Sequence, residues 1–362
     1  MIRTGGADLA VEFTARARLE VRISPSDVGK RVSVRRLTQS GDGPEKFTDT
    51  VGVLTSWDSG VLRITRRDGE TVRIAESRLV AGKVVPAAPA RRRGPSASAA
   101  ELARVTSRGW PAVENERLGE WALRAAVARG SGRPVGFTRR ANSVLPLGEP
   151  GMPLDEALAR VRRWYEDRGL PPYVQVSTGA EGTQERLAAE LADRGWDREV
   201  TAELRIAALA PVADLGTGTS RVVLSRTVDE DWLLRYQRVG RPDPVVRRVL
   251  EGGPSVWFAT VPGVSRTPAA VGRCVVDGRW AGFMAVEVGP EHRRRGLASA
   301  VMAALAGRAL DEGASAAWLQ VETDNEAARA LYDRLGFTTH HSYHHFRAPG
   351  GVPREDIAGE SR

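Results

Sequence analysis

"VEVGPEHRRRGLASAV", residues 286 to 301, decides how the chain is read. The stretch "FMAVEVG" from 283 to 289 reads as a strand. From Leu297 the pattern changes: Leu297, Val301 and Leu305 recur at i, i+4 and i+8, one face of a helix. Between strand and helix stand three successive arginines and a glycine. Like charges so close repel, so the arrangement makes most sense with an anion beside it. A turn that ends at a helix N-terminus offers unpaired backbone N–H groups and the positive end of the helix dipole. Gly296 and Ala298 lack bulk, which lets a phosphate approach the backbone, and Arg293, Arg294 and Arg295 suit a pyrophosphate. The alternative is a solvated basic turn capping a core helix. The turn is not a Walker loop, because Gly-Lys-Ser/Thr is absent, and it is not the dinucleotide motif Gly-x-Gly-x-x-Gly.

Working outward, the order of elements around this turn occurs twice. A helix "LDEALARVRRWYEDRG", a strand "YVQVS", a helix "TQERLAAELADRGW" and a strand "REVTAELRIAAL" are matched later by "LASAVMAALAGRALDEG", "WLQVE", "NEAARALYDRLGF" and "TTHHSYHHFRA". Val174-Gln175-Val176 aligns with Leu319-Gln320-Val321, and the two short helices each end in Asp-Arg followed by a glycine and an aromatic. This predicts a duplication with halves at 101–212 and 221–350, joined by a linker at 213–220. The first half has "NSVLPLGEPGMPLDEAL" ahead of its helix and no arginine-rich turn, so an anion belongs to the second half.

Upstream, residues 21–86 alternate strand-like runs with turn signals: "RVSVRRL", "TVGVLTSWDSG", "VLRITRRDGE", "TVRIAESRLV" and "KVVP". Asp68-Gly69 is a hairpin signal, and five short strands in so few residues predict a small all-β barrel. It resembles a Src-homology-3-type barrel, with a partner-recruiting role and a packing role equally open. Residues 87–100, around Arg91, Arg92 and Arg93, have the composition of an exposed linker. Residues 1–20 and 351–362 are expected to be tails.

The 362 residues bound the answer at two or three domains. Lys+Arg 53 against Asp+Glu 45 gives a net charge of +8, which alone would suggest a polyanion partner. The only lysines are Lys30, Lys46 and Lys83, so the basicity follows an Arg-rich, Ala-rich and Gly-rich composition. Cys274, the single cysteine, excludes an intrachain disulfide and a multi-cysteine zinc site, and its setting in "AAVGRCVVDGRW" reads as a buried strand. The opening residues lack an apolar signal region and no run reaches ~18 apolar residues, so the expectation is a cytoplasmic chain that does not span a membrane.

On these motifs the second half resembles the GNAT superfamily of N-acetyltransferases. That family's acyl-CoA signature, Arg/Gln-x-x-Gly-x-Gly/Ala, matches Arg293-Arg294-Arg295-Gly296-Leu297-Ala298. Val288-Gly289-Pro290 is comparable with the end of the family's preceding strand, and Asn325, Leu331-Tyr332 and Gly336-Phe337 follow in the family's order. The match covers about residues 221–347, and the first half looks like a degenerate copy. The pair is therefore similar to tandem GNAT proteins, and with the barrel in front to an actinobacterial type. The implied fold class is α/β: a duplicated GNAT fold with a mixed sheet, behind a small all-β barrel.

The resemblance implies acetyl-CoA as acyl donor, no metal, and direct transfer to a primary amine of a small molecule or protein. It implies that the strand before the turn splays from its neighbour and frees a backbone N–H for the thioester carbonyl, at Val288 first and Val286 second. It assigns the acid that protonates the thiolate to Tyr332, and a cofactor contact to Asn325. Tyr332 could instead be a core residue. Asn325 could instead belong to a helix start with a Thr323-x-x-Glu326 capping box. The general base is Glu287 or Glu322, each of which could also be an ordinary surface carboxylate. "HHSYHH", 340 to 345, would place His340, Ser342 and His344 on one strand face and His341, Tyr343 and His345 on the other. That run suits a substrate-facing lining or a second base better than a metal. The rival readings are a non-catalytic acyl-CoA-binding module that recruits a partner through the barrel, and a nucleic-acid tether made of the barrel and Arg91 to Arg93.

Overall fold

The computed structural model describes residues 20–38, 46–85, 94–128, 134–215, 218–236, 243–350 and 357–358. Arg91, Arg92 and Arg93 and most of both expected tails lie outside them. The chain divides into two compact units.

The first unit holds β1 (Arg31–Thr38), β2 (Lys46–Asp58), β3 (Val61–Thr65), β4 (Thr71–Ala75) and β5 (Leu79–Val84), in the sheet order β4-β3-β2-β1-β5. Ser59 and Gly60, both at positive φ, turn β2 into β3, as a tight right-twisted hairpin requires. Asp68 and Gly69 turn β3 into β4, where the Asp68 Oδ1 accepts from the Glu70 N–H at 3.0 Å. Alternate residues Val32, Val34, Leu54, Leu62, Ile64 and Ile74 form its core. One boundary differs from the sequence reading. "TVRIAESRLV" is not one strand, because a 3-10 turn at Glu76–Arg78 breaks it and Leu79 opens β5.

The second unit begins with α1 (Ala99–Gly109), capped by the Ser98 side chain. There follow β6 (Glu114–Leu118), β7 (Trp121–Ala125), β8 (Val127–Ala128), β9 (Val135–Phe137), β10 (Leu145–Pro146), α2 (Leu154–Glu166), β11 (Tyr173–Thr178), α3 (Glu185–Asp193) and β12 (Asp197–Ala208). After the short helix α4 (Ala210–Ala213), the second half supplies β13 (Val223–Ser225), α5 (Glu230–Arg235), α6 (Pro244–Glu251), β14 (Ser255–Val261), β15 (Ala270–Asp277), β16 (Trp280–Val288), α7 (Leu297–Asp311), β17 (Ala316–Glu322), α8 (Glu326–Arg334) and β18 (Thr338–Arg347). Near the end of the chain, β19 (Ile357–Ala358) pairs with β9.

The halves do not form two separate sheets. One eight-stranded sheet runs β11-β18-β12-β17-β16-β15-β14-β13. Each half gives its last strand to the other: β12 pairs with β17, and β18 lies between β11 and β12. One face carries α7 on Val301, Leu305 and Ala309, packed with Phe283, Leu319 and Phe337. The other carries Leu102 of α1, Trp232 of α5 and Val249 of α6 over Trp318, Met284 and Leu204. Covered on both sides, β15 is buried along nearly its whole length. Cys274 lies there at 0% exposure, and burial pushes its thiol up to about 12, which suits a core residue and not a nucleophile.

Candidate active site

The strand and helix of residues 280–311 form as their periodicity requires, and the break between them is a built one. β16 and β17 pair in parallel only from Trp280–Ala316 to Phe283–Leu319. Beyond that point β16 stays with β15 while β17 stays with β12, so a gap opens between them. A bulge starts it. Ala285 has φ +51, and Ala285 and Val286 together oppose the single residue Gly272. Met284 and Ala285 consequently pack on the α1 face, whereas Val286 and Val288 pack on the α7 face. Glu287 is left for the α1 face, the face that also carries Trp318 and, by alternation along β17, Gln320 and Glu322.

The peptide direction follows. The Gly289 N–H donates to the Ala269 carbonyl at 2.9 Å, towards β15. Antiparallel alternation turns the Val288 N–H the other way, into the gap. After Gly289 a 3-10 turn (Pro290–His292) leads into Arg293, Arg294, Arg295 and Gly296. Buried Arg235 anchors this turn, donating from Nε to the Pro268 carbonyl at 2.6 Å and from Nη2 to Glu291 at 3.2 Å. Arg293, Arg294 and Arg295 are exposed, and among the described residues none of their side chains has a hydrogen-bond or ion-pair partner. Gly296 is the N-cap of α7 with φ +75, and a Cβ there would meet nothing within 4 Å. No side chain caps the helix, whose first N–H groups therefore face the open end of the turn. Leu297 and Ala298 form the first turn, with Leu297 half-buried against the α7 core. An open helix start, three unpaired guanidiniums and a strand gap suit a pyrophosphate followed by an extended thioester arm.

Tyr332 sits on α8 with its ring against Phe337, centroids 6.0 Å apart, and packs half-buried in the same core as Leu331. Leu331 and Tyr332 both reach that core, because residues one apart on a helix can share a broad apolar seat. Asn325 caps α8: its Oδ1 accepts from the Ala328 N–H at 3.1 Å. The Thr323-x-x-Glu326 capping box is not formed, because Thr323 donates its hydroxyl to the Thr201 carbonyl instead. α8 is tied to the sheet by residues of the first half. Arg205 pairs with Glu203 at 2.7 Å and Asp333 at 3.0 Å, and Glu203 takes Arg329 at 3.2 Å. Burial acts most strongly on Glu203 and raises its pKa, but Arg205 and Arg329 outweigh it and leave the carboxyl below its usual range.

The histidine run departs from simple alternation. A register shift between Leu204 and Arg205 of β12 leaves His340 unpaired, so it turns to its neighbour. Its Nδ1 lies 2.8 Å from the His341 Nδ1, and its Nε2 bonds the Ala97 carbonyl. His344 is held between the hydroxyls of Thr178 and Thr201 at 2.9 and 3.0 Å. Burial lowers His341 and His344 to about 3 and His345 well below its ordinary value. These rings stay neutral at pH 7 and take up a proton less readily than a free imidazole.

Sequence reasoning missed Arg140 altogether. It rides on a 3-10 turn (Arg139–Ala141) and donates from Nε to the Tyr343 hydroxyl at 2.9 Å. Tyr343, Ala202 and Glu322 are direct neighbours across β18, β12 and β17, so Tyr343 and Glu322 face the same side with only an alanine between them. Burial raises the Tyr343 phenol above its usual value against the pull of Arg140. No motif could have located Arg140, because its partner is some 200 residues away on an exchanged strand.

Residues 97–346 match the family model described as "Probable histone acetyltransferase Rv0428c C-terminal". The chain belongs to this acetyltransferase family. Residues 26–83 match a second model, "Rv0428c N-terminal Sm-like domain", so the barrel is of the Sm-like and not the Src-homology-3 type. A relative from Bacillus subtilis (strain 168), "Uncharacterized N-acetyltransferase YobR", is 26% identical over 266 residues, 68% of this chain and 97% of that protein. Among solved structures, a GCN5-related N-acetyltransferase from Kribbella flavida has a TM-score of 0.49 at 18% identity and covers 71% of this chain and 98% of its own. A "tandem GNAT protein from the clavulanic acid biosynthesis pathway" has 0.48 at 15%, covering 73% and 92%. The acetyltransferase thus has an α/β unit, matched by the acetyltransferase model, after a small Sm-like β unit in the sequence. Among the described residues, no helix is long and apolar enough to cross a membrane.

Proposed function

We propose that the enzyme transfers the acetyl group of acetyl-CoA directly to a primary amine, in the cleft between β16 and β17. The observation that carries the reading is the coincidence of the β16–β17 gap with an uncapped helix start and three unpaired arginines a few residues further on. In this reading Arg293, Arg294, Arg295 and the N–H groups around Gly296, Leu297 and Ala298 hold the pyrophosphate. The Val288 N–H, with Val286 beside it, polarises the thioester carbonyl. Asn325, whose Nδ2 is not needed for capping, lies where the cofactor arm passes α8.

The amine nitrogen attacks the carbonyl carbon and forms the C–N bond as the C–S bond breaks. The proton released by the amine goes to Glu322, with Glu287 across the gap as the second carboxylate, and the departing thiolate takes a proton from Tyr332. The products are an acetamide and the free thiol of CoA. A cytoplasmic setting fits the lone, buried cysteine.

The test is thiol release from acetyl-CoA over a panel of primary amines. Wild type should release thiol with at least one amine. Tyr332→Phe should slow release by ~10²–10⁴-fold while acetyl-CoA still binds, the usual range for a proton-transfer group. Tight acetyl-CoA binding with no release from any small amine or lysine peptide would overturn the proposal in favour of a non-catalytic module.

A further inference from the structure

The buried arginines of the second unit follow a rule that half-buried Arg140 does not. Arg124 bonds the Ser143 carbonyl and hydroxyl and the Gln175 Oε1. Arg273 bonds the carbonyls of Leu250, Gly109 and Gly252. Arg205 and Arg235 each have a carboxylate. Arg140 has the Tyr343 hydroxyl on its Nε, and among the described residues its two terminal NH2 groups meet no acceptor and no carboxylate within ion-pair distance. Arg140 is half-buried and its terminal NH2 groups stay open to solvent, so they are available to an anionic ligand.

The loop that presents Arg140 is rigid. Thr138 is held at φ +55, an unfavourable region for a β-branched residue. Asn142, 1% exposed, fixes the loop: its Oδ1 accepts from the Ala126 N–H at 2.8 Å, and its Nδ2 donates to the Phe137 and Thr138 carbonyls at 2.7 and 3.0 Å. Strain maintained this way is typical of a functional contact.

The surroundings indicate what completes the site. Tyr343 and Glu322 stand two strand spacings apart, roughly 9–10 Å at the backbone, with buried Ala202 between them. The fields of Tyr343 and Glu322 reach Arg140, and although burial pulls its pKa down most, they hold it above its ordinary value. Beside this row Thr106, Gln175, Gln320, His341 and Tyr343 line a polar cavity. The buried Gln320 Oε1 there has no hydrogen-bond partner among the described residues.

We propose that Arg140 recognises an anionic group, a carboxylate or a phosphate, on a small amine acceptor, and that the Gln320 carbonyl accepts a hydrogen bond from the same molecule. The amine then lies at Glu322 beside the gap, and the anion lies against the open NH2 groups of Arg140. This rests on the acetyl-transfer reading of the β16–β17 cleft. It disfavours a cationic protein tail, whose neighbouring lysines and arginines Arg140 would repel.

The experiment compares matched pairs in the thiol-release assay: amino acids against their carboxamides, and phosphoethanolamine against ethanolamine, with a basic lysine peptide as the third arm. Wild type should prefer the anionic member of at least one pair by 30-fold or more in kcat/KM. Arg140→Met should collapse that ratio to within about threefold, mainly through KM, and Arg140→Lys should restore part of it. Acetyl-CoA binding, read by thermal shift, confirms that each variant is folded and that the donor site is intact. Equal use of both members of every pair by wild type, or faster use of the lysine peptide, overturns the inference and leaves the acetyl-transfer reading standing. If no amine turns over, N-acetylated amino acids and N-acetyl phosphoethanolamine are titrated with CoA present. Stabilisation of wild type but not Arg140→Met supports the inference, and none in wild type overturns it. Failure of acetyl-CoA itself to stabilise wild type overturns both readings.

Discussion

Gly296→Glu separates the anion site from the fold. The residue is at φ +75, where a side chain on an L-residue costs about 1–2 kcal/mol. No atom lies within 4 Å of the new Cβ, so no steric penalty is added. A carboxylate at a helix N-terminus returns about 0.3–1 kcal/mol through the dipole. The net loss should be about 1 kcal/mol, leaving the variant folded. Its ligand response should change far more, because the new carboxylate occupies the approach to the α7 N–H groups and neutralises part of the Arg293–Arg295 field. Acetyl-CoA at 100 times its Kd should stabilise wild type by about 2.7 kcal/mol, roughly 5–10 °C in Tm for a unit of this size. Differential scanning fluorimetry of both proteins, with and without acetyl-CoA, reads this directly. The expected result is a wild-type shift that is abolished in Gly296→Glu. A folded variant that keeps the full shift would refute the placement of the donor at 293–298.

Two further predictions concern stability. Arg273→Met removes the hydrogen bonds that end α1 and α6 at Gly109, Leu250 and Gly252 and strands those carbonyls in the core; a loss of about 2–4 kcal/mol in urea unfolding is expected, and less than 1 would contradict it. His341 and His344 have native pKa values near 3 against an ordinary 6.5, so between those values the unfolded chain binds protons that the native state refuses. Stability should be complete above about pH 6.5 and fall towards pH 3, by up to about 1.4 kcal/mol per pH unit for each ring. Urea midpoints at pH 7 and pH 5 should differ accordingly, and His344→Gln, which can still bond Thr178 and Thr201, should flatten the slope; an unchanged slope counts against the assignment.

The fold class was legible because its carriers are local. Leu297, Val301 and Leu305 announce α7, the strand before it is plain, and the repeated helix–strand order announces the duplication. What stayed hidden depends on pairing between distant segments. The exchange of β12 and β18 cannot be read from either strand, since both have the alternation they would need in any sheet. The two β-bulges, at Ala285 and at His340, change which face a residue occupies, and no residue type marks them. Asn325 and Tyr332 could be located but not given their surroundings, and Arg140 could not be singled out among so many arginines.

The exchanged strands also bear on how the chain must be made. β11 and β12 are synthesised early, yet the strand that lies between them, β18, is among the last described segments to be translated. Until residues 338–347 arrive, both early strands present an open edge, and a nascent first half is a template for the wrong partner. Pairings that span more than a hundred residues also slow closure of the sheet. Premature termination or separate expression of residues 101–212 should therefore yield an aggregating fragment, and the two halves should unfold in one transition, because the eight-stranded sheet belongs to both.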